Sequence, residues 1–145
     1  MPSIFTRILR DELPASLVHR DDVVAAFLDI QPLTPGHTLV VPVTEVASLS
    51  DLPPEILARV TALGQEIGQA IRVADPEVTG INWLLCDGPD AGQEVPHVHL
   101  HVIPRRKGDG LRLGGKWRPA ERADLDAWAR RIAAERSSSA GGSTG

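Results

Sequence analysis

Apolar positions in this chain follow two different periods. Leu17-Val18-His19-Arg20 and Val23 to Leu28 are short apolar runs flanking Asp21-Asp22, which reads as a hairpin break. His37 to Val43 is a strand rich in β-branched residues, introduced by the turn signal Thr34-Pro35-Gly36. The spacing then changes. Ile56, Val60, Leu63, Ile67 and Ile71 recur at helical intervals and predict an amphipathic helix from Pro53 or Pro54 to about Val73. Proline suits a first helical turn, and Asp75-Pro76 stops the helix. Two further strands, Gly80 to Cys86 and a run from His97 ending near Pro104, are separated by the loop Asp87 to Gln93. Ile4 to Arg10 reads as a short helical turn begun by Ser3 or Pro2. Lys107 to Gly115 is a Gly-rich loop, and Asp124 to Arg136 a terminal helix with Leu125, Trp128 and Ile132 on one face. Strands with helices set apart from them imply an α+β fold: a mainly antiparallel sheet, one long helix and one or two shorter ones.

At 145 residues the chain is expected to form one domain over residues 1–136, followed by a disordered Ser/Gly tail from Ser137 to Gly145. Its 42% apolar and 23% charged residues are ordinary for a soluble globular protein. A formal net charge of −4 argues against a general nucleic-acid binder, and two Phe, three Trp and no Tyr leave little for base-stacking platforms. One cysteine, Cys86, excludes an internal disulfide and a cysteine metal cluster. Arg7, Arg10 and Asp11 interrupt any secretory segment, and no apolar run approaches a membrane span. The expected place of work is the cytoplasm, with no nucleic-acid or membrane partner.

Three of the five histidines stand at alternate positions in His97-Val98-His99-Leu100-His101-Val102-Ile103. On a strand, residues i, i+2 and i+4 share a face, so the imidazoles form a row about 13 Å long at roughly 3.3 Å per residue. Histidine titrates nearest neutrality and serves as nucleophile, proton donor or metal ligand. Packing, metal binding and nucleophilic or acid–base catalysis compete as explanations. No metal-ligand motif accompanies the row, and the outer two rings are too far apart to share one ion without strong twist. The preceding loop, Asp87-Gly88-Pro89-Asp90-Ala91-Gly92-Gln93, has glycines that let backbone approach a ligand, and its N–H groups can form an anion-binding nest. Joined to the row, it suggests a phosphate held beside an imidazole.

The run Gly92 to Arg105 closely resembles the histidine triad family of nucleotide hydrolases and transferases, whose motif is His-φ-His-φ-His-φ-φ with φ apolar. Phe27 to Pro42 resembles the other characteristic stretch of that family, and the two cover Ser3 to about Arg106. The resemblance implies a sheet continued across a homodimer, and hydrolysis or transfer at the α-phosphate of a nucleotide through a covalent nucleotidyl-histidine. His99 matches the nucleophile and His101 the residue contacting phosphate and leaving group, while His97 and His37 match supporting histidines. Asp29 matches the acid that hydrogen-bonds ribose hydroxyls, Ile30 a residue beside the base, and Gln93 a polar residue next to the phosphate. The 87–93 loop resembles the fragile-histidine-triad branch, which cleaves dinucleoside polyphosphates. Phosphoramidate hydrolysis, nucleotidyl transfer and non-catalytic nucleotide sensing are the alternatives. His101, where transferases often have Gln, favours hydrolysis. No cofactor is implied.

The sequence also departs from that pattern. Many bacterial members have a Cys-x-x-Cys pair and a further His as structural zinc ligands. Here Ser3, Thr6 and Glu45 stand in those places, so no metal site is expected. Cys86 replaces an amide side chain that faces the phosphate, and Glu94 replaces Ser or Thr beside it. A carboxylate there repels phosphate unless it points away or is protonated. Both residues bear on substrate choice.

Overall fold

The computed structural model describes residues 1–140. Helix α1 (Ile4–Leu9) precedes a hairpin of β1 (Leu17–Arg20) and β2 (Val24–Leu28), followed by β3 (Thr38–Pro42) and helix α2 (Pro54–Ala74). Strands β4 (Val78–Leu85) and β5 (Leu100–Arg106) follow, and then helix α3 (Arg122–Ala140). The strands form one sheet in the order β1-β2-β3-β5-β4, every neighbouring pair antiparallel. This is the α+β architecture the apolar periods predict.

Local chemistry sets each boundary. The Asp21 carboxylate accepts from the backbone N–H groups of Val23 and Val24 at 2.8 and 2.9 Å, which turns the chain between β1 and β2. The Ser3 side chain accepts from the Thr6 N–H and caps α1. Proline opens the first turn of α2, where its missing N–H costs nothing, and the Asp75 N–H closes the last turn on the Ile71 carbonyl.

The two faces of the sheet have different partners. Val24, Ala26, Val40, Leu100 and Val102 meet Val60, Leu63 and Ile67 of α2. Ala25, Phe27, Leu39 and Val41 meet Phe5 and Leu9 of α1. Burying a large apolar side chain contributes about 1.5–3 kcal/mol, so the 21-residue α2 anchors its face firmly. Gly64 allows the close approach: a Cβ there would lie 2.8 Å from a Leu100 methyl and 3.3 Å from the Trp83 ring. The six-residue α1 covers only part of the opposite face. The rest of that face is open to a ligand.

Two boundaries lie more than two residues from the sequence expectation. The ladder of β5 begins at Leu100, not His97, because the Val98 N–H bonds the Val46 carbonyl and the His97 N–H bonds Val95. The alternation survives: Leu100 and Val102 face α2, while the rings of His97 and His99 pack on Phe5 of α1. Helix α3 runs to Ala140, so Ser137 to Ala140 continue it where a tail was expected, and residues 141–145 lie outside the described residues.

Residues 1–111 form one compact unit with the whole sheet, α1 and α2; the second unit begins at Arg112 and contains α3. In that second unit Leu125, Trp128 and Ile132 are exposed, and the Arg131 guanidinium lies 4.3 Å from the centre of the Trp128 ring.

Candidate active site

His101 lies at the middle of the sheet, opposite Leu39 of β3 and Leu84 of β4. It opens into a pocket of about 600 Å³ on the α1 face, also lined by His99, His37 and Asp29. Phe5, Ile8, Phe27 and Leu39 make much of the remaining wall apolar. A few converging polar groups in a mostly apolar concavity are the usual composition of a small-molecule site.

Fixed hydrogen-bond partners determine the tautomers of all four histidines. The Leu33 N–H donates to His37 Nδ1 at 3.0 Å, so the proton of neutral His37 is on Nε2. That Nε2–H donates to His101 Nδ1 at 2.9 Å, which leaves the His101 proton on Nε2. His99 Nδ1 lies 2.8 Å from the His97 carbonyl. A carbonyl only accepts, so His99 Nδ1 is protonated and its Nε2 keeps the lone pair. His97 Nε2 donates to the Pro42 carbonyl at 2.8 Å, and its Nδ1 accepts from the Ser3 hydroxyl at 2.7 Å. The His99 and His101 ring centres are 4.8 Å apart. A ring with a bare Nε2, His99, thus neighbours a ring with an Nε2–H, His101.

Burial favours the neutral form of three of them, His37, His97 and His101. His101 is pushed down from the ordinary 6.5 to about 4, first by burial and then by the neighbouring His99 and His37. His37 is also lowered by burial, against a small opposing pull from Asp29. Burial lowers His97 too, against the Pro42 hydrogen bond and the Glu45 charge.

The other expected site residues divide into two groups. Asp29 lines the pocket; its Oδ1 accepts from the Gln31 N–H at 2.8 Å, and its Oδ2 lies 3.7 Å from His37 Nε2. Ile30, 84% exposed, stands at the rim, and buried Cys86 and exposed Glu94 are on the wall. Gln93 and His97 do not line the pocket. The Gln93 amide accepts from the Gly88 N–H at 2.8 Å and donates to the Ala47 and Val95 carbonyls, so it braces the loop from behind. His97 is completely buried beneath the N-terminus of α1.

Among the described residues, Asp29, His37 and His101 form one group able to ligate a cation, with donor atoms within 4.8 Å of one another. In the structure a histidine–histidine hydrogen bond already joins two of them. Ser3, Thr6 and Glu45, where the sequence comparison expected zinc ligands to be replaced, meet at a second polar cluster. Glu45 Oε1 accepts from the Ser3 N–H and, at 2.7 Å, from the Thr6 hydroxyl. Two neutral hydroxyls and a carboxylate engaged by two donors do not suit a structural zinc, which takes thiolate and imidazole ligands.

Phe5 is a pocket residue that the sequence reading passed over. Its ring meets the His99 ring edge-on at 5.0 Å and 75°. Its signal was a Phe on the buried face of a helix, which apolar packing explains equally well.

The family model of the HIT domain matches residues 10–108. This chain belongs to the HIT family. An uncharacterized HIT-like protein of Mycobacterium tuberculosis is 46% identical over 114 residues, covering 77% of this chain and 76% of its own. Adenosine 5'-monophosphoramidase of Saccharomyces cerevisiae is 36% identical over 124 residues, 85% and 73% of the two chains. Asymmetrical bis(5'-nucleosyl)-tetraphosphatase of Schizosaccharomyces pombe is 40% identical over 96 residues, 66% and 52% of the two chains. The crystal structure of a HIT family member from Bacillus subtilis superposes with a TM-score of 0.80 at 36% identity, covering 92% of this chain and 96% of the other. The matched residues include all four histidines of the hydrogen-bonded network, His37, His97, His99 and His101.

Proposed function

We propose that this HIT protein hydrolyses nucleotide conjugates at the α-phosphorus through a covalent nucleotidyl-His99, with dinucleoside polyphosphates as the first substrate class. One observation carries the reading: His99 Nδ1 is committed to the His97 carbonyl, which leaves the Nε2 lone pair free on a pocket-lining ring whose centre is 4.8 Å from that of His101. Named hydrolases among its relatives support the same reaction class.

In this mechanism His99 Nε2 attacks the α-phosphorus in line, and the bond from phosphorus to the leaving group breaks with its electron pair. The leaving polyphosphate is an anion that departs without a proton. The His101 Nε2–H hydrogen-bonds the charge that develops on oxygen. The positive ring of nucleotidyl-His99 is stabilised by its Nδ1–H bond to the His97 carbonyl. Water then attacks phosphorus, the electron pair returns to Nε2, and the proton of the water passes to solvent as the mononucleotide leaves. Asp29 Oδ2 faces the ribose hydroxyls, and the apolar wall around Phe5 and Phe27 takes the base.

The reading includes a homodimer. Strand β4 is an edge of the sheet and carries two exposed apolar side chains, Trp83 and Leu84, where a second strand can pair. No described helix is long and apolar enough to cross a membrane, and the proposed place of action is the cytoplasm.

A substrate panel tests the function: dinucleoside polyphosphates, adenosine phosphoramidates, adenylyl sulfate and nucleotide sugars, assayed for released mononucleotide. Turnover of a dinucleoside polyphosphate is expected. Selective turnover of a phosphoramidate would replace the substrate class, and no product from any would favour a nucleotide sensor.

A further inference from the structure

The three consecutive residues 45–47 hold three parts of the site at once. The Glu45 carboxylate binds the Ser3 N–H and the Thr6 hydroxyl of α1. The Val46 carbonyl accepts the Val98 N–H at 2.8 Å, between His97 and His99. The Ala47 carbonyl accepts the Gln93 amide at 2.8 Å, which braces the 88–93 loop. Within α1, Ser3 Oγ accepts the Thr6 N–H at 3.1 Å and donates to His97 Nδ1 at 2.7 Å. The His97 carbonyl in turn receives the Nδ1–H of His99 at 2.8 Å. An unbroken line of hydrogen bonds thus runs from Glu45 through Ser3 and His97 to the ring of His99.

We propose that Ser3 and Glu45 are positioning residues for the nucleophile: by pinning His97 they fix the carbonyl on which His99 Nδ1–H rests. The proposal builds on the role of His99 given above. Its physical basis is that His97 is fully buried and, among the described residues, its Nδ1 has one donor, the Ser3 hydroxyl. Without that donor a buried acceptor is unsatisfied, and the ring must shift or admit water. The same shift moves Phe5, whose ring touches both His97 and His99. Glu45 acts through the N–H of Ser3 and the hydroxyl of Thr6, and its Oε1 also lies 3.9 Å from His97 Nδ1; the bonds it receives hold its pKa down at about 2. The rival role is a plain helix cap, which stabilises α1 and leaves the His99 ring where it is.

The test compares Ser3→Ala with Ser3→Thr, and Glu45→Ala with Glu45→Gln, in the full-length protein. Threonine keeps the hydroxyl and glutamine keeps the acceptor oxygen. The first readout needs no substrate: the His99 Nδ1–H proton resonance in ¹⁵N-labelled protein, which is expected to be protected and observable in the wild type. It should broaden through solvent exchange in both alanine variants and return in Ser3→Thr and Glu45→Gln. The second readout is steady-state turnover, with kcat expected to fall about 10- to 100-fold in the alanine variants at nearly unchanged KM. If Glu45→Ala does not fold, the Ser3 pair decides. A lower melting temperature with both the resonance and kcat unchanged overturns the proposal and leaves a helix cap. Movement of only one of the two readouts, or no protected resonance in the wild type, overturns it as well. If the wild type turns over no nucleotide, the hydrolase reading fails on its own, and the resonance comparison still decides whether Ser3 and Glu45 position His99.

Discussion

At the scale of single residues, function rests on which ring nitrogens carry protons. In the proposed mechanism His99→Ala removes the attacking lone pair, while the Asp29 side and the apolar wall remain. We expect kcat to fall about a thousandfold or more with nucleotide binding retained, measured by single-turnover kinetics beside calorimetric titration. A folded variant with near-normal kcat would remove the nucleophile assignment. The buried rings also predict an acid weakness. His37, His97 and His101 have folded pKa values depressed below the unfolded 6.5. The unfolded chain therefore binds more protons below that value, so their contribution is complete above about pH 6.5 and is lost as pH falls toward the folded pKa, about 4 for His101. Each contributes up to about 1.4 kcal/mol per pH unit in that window. Urea unfolding at pH 7.5 and 5.5 should show the loss, and equal midpoints would contradict it. Glu94 is exposed on the pocket wall. Glu94→Ser should raise kcat/KM more for polyphosphates than for a phosphoramidate with a neutral leaving group. A screened charge changes binding by about 1 kcal/mol or less, and equal kcat/KM changes for both substrates would assign Glu94 to solvent. These residues were legible in the sequence because alternation and the family motif mark them. The role of Gln93 was not, because a polar side chain beside a ligand and one bracing the backbone behind it read alike in one dimension.

At the scale of elements, the sheet works because its two faces are treated differently. The α2 face is sealed, and Gly64 is the closest point of that seal. Gly64→Ala would gain about 1 kcal/mol of helix propensity. It would also press a Cβ against Leu100 and Trp83, and such overpacking costs about 1–3 kcal/mol. We expect a net loss of up to about 2 kcal/mol in chemical denaturation, and a gain would show that α2 moves freely on the sheet. The sequence placed α1, α2 and the hairpin within a residue or two, since each has its own boundary signal: the cap Ser3, the stop Asp75 and the turn at Asp21. The start of β5 was misplaced because alternation records which face a side chain takes and carries nothing about whether a neighbouring strand is there to pair. Val98 finds its partner at Val46, outside the ladder. The length of α3 was underestimated because serine reads as a tail residue, although it costs a helix only a few tenths of a kcal/mol more than alanine.

At the scale of the molecule, a sheet with a closed face and an open face places the chemistry on the open one, and an exposed edge at β4 invites a second copy. Light scattering at micromolar concentration should give a dimer mass, and Trp83→Lys should give a monomer, since an inward charge blunts edge pairing; a monomeric wild type would reject the interface. The reaction as a whole offers the most direct test of the central claim, that His99 makes and breaks a bond to phosphorus. A substrate made chiral at the α-phosphorus with sulfur and an oxygen isotope is hydrolysed, and the configuration of the released nucleotide is determined. Two in-line displacements, first by His99 and then by water, invert the centre twice and give net retention. Retention is the result the account predicts, and inversion, the mark of direct attack by water, would contradict it.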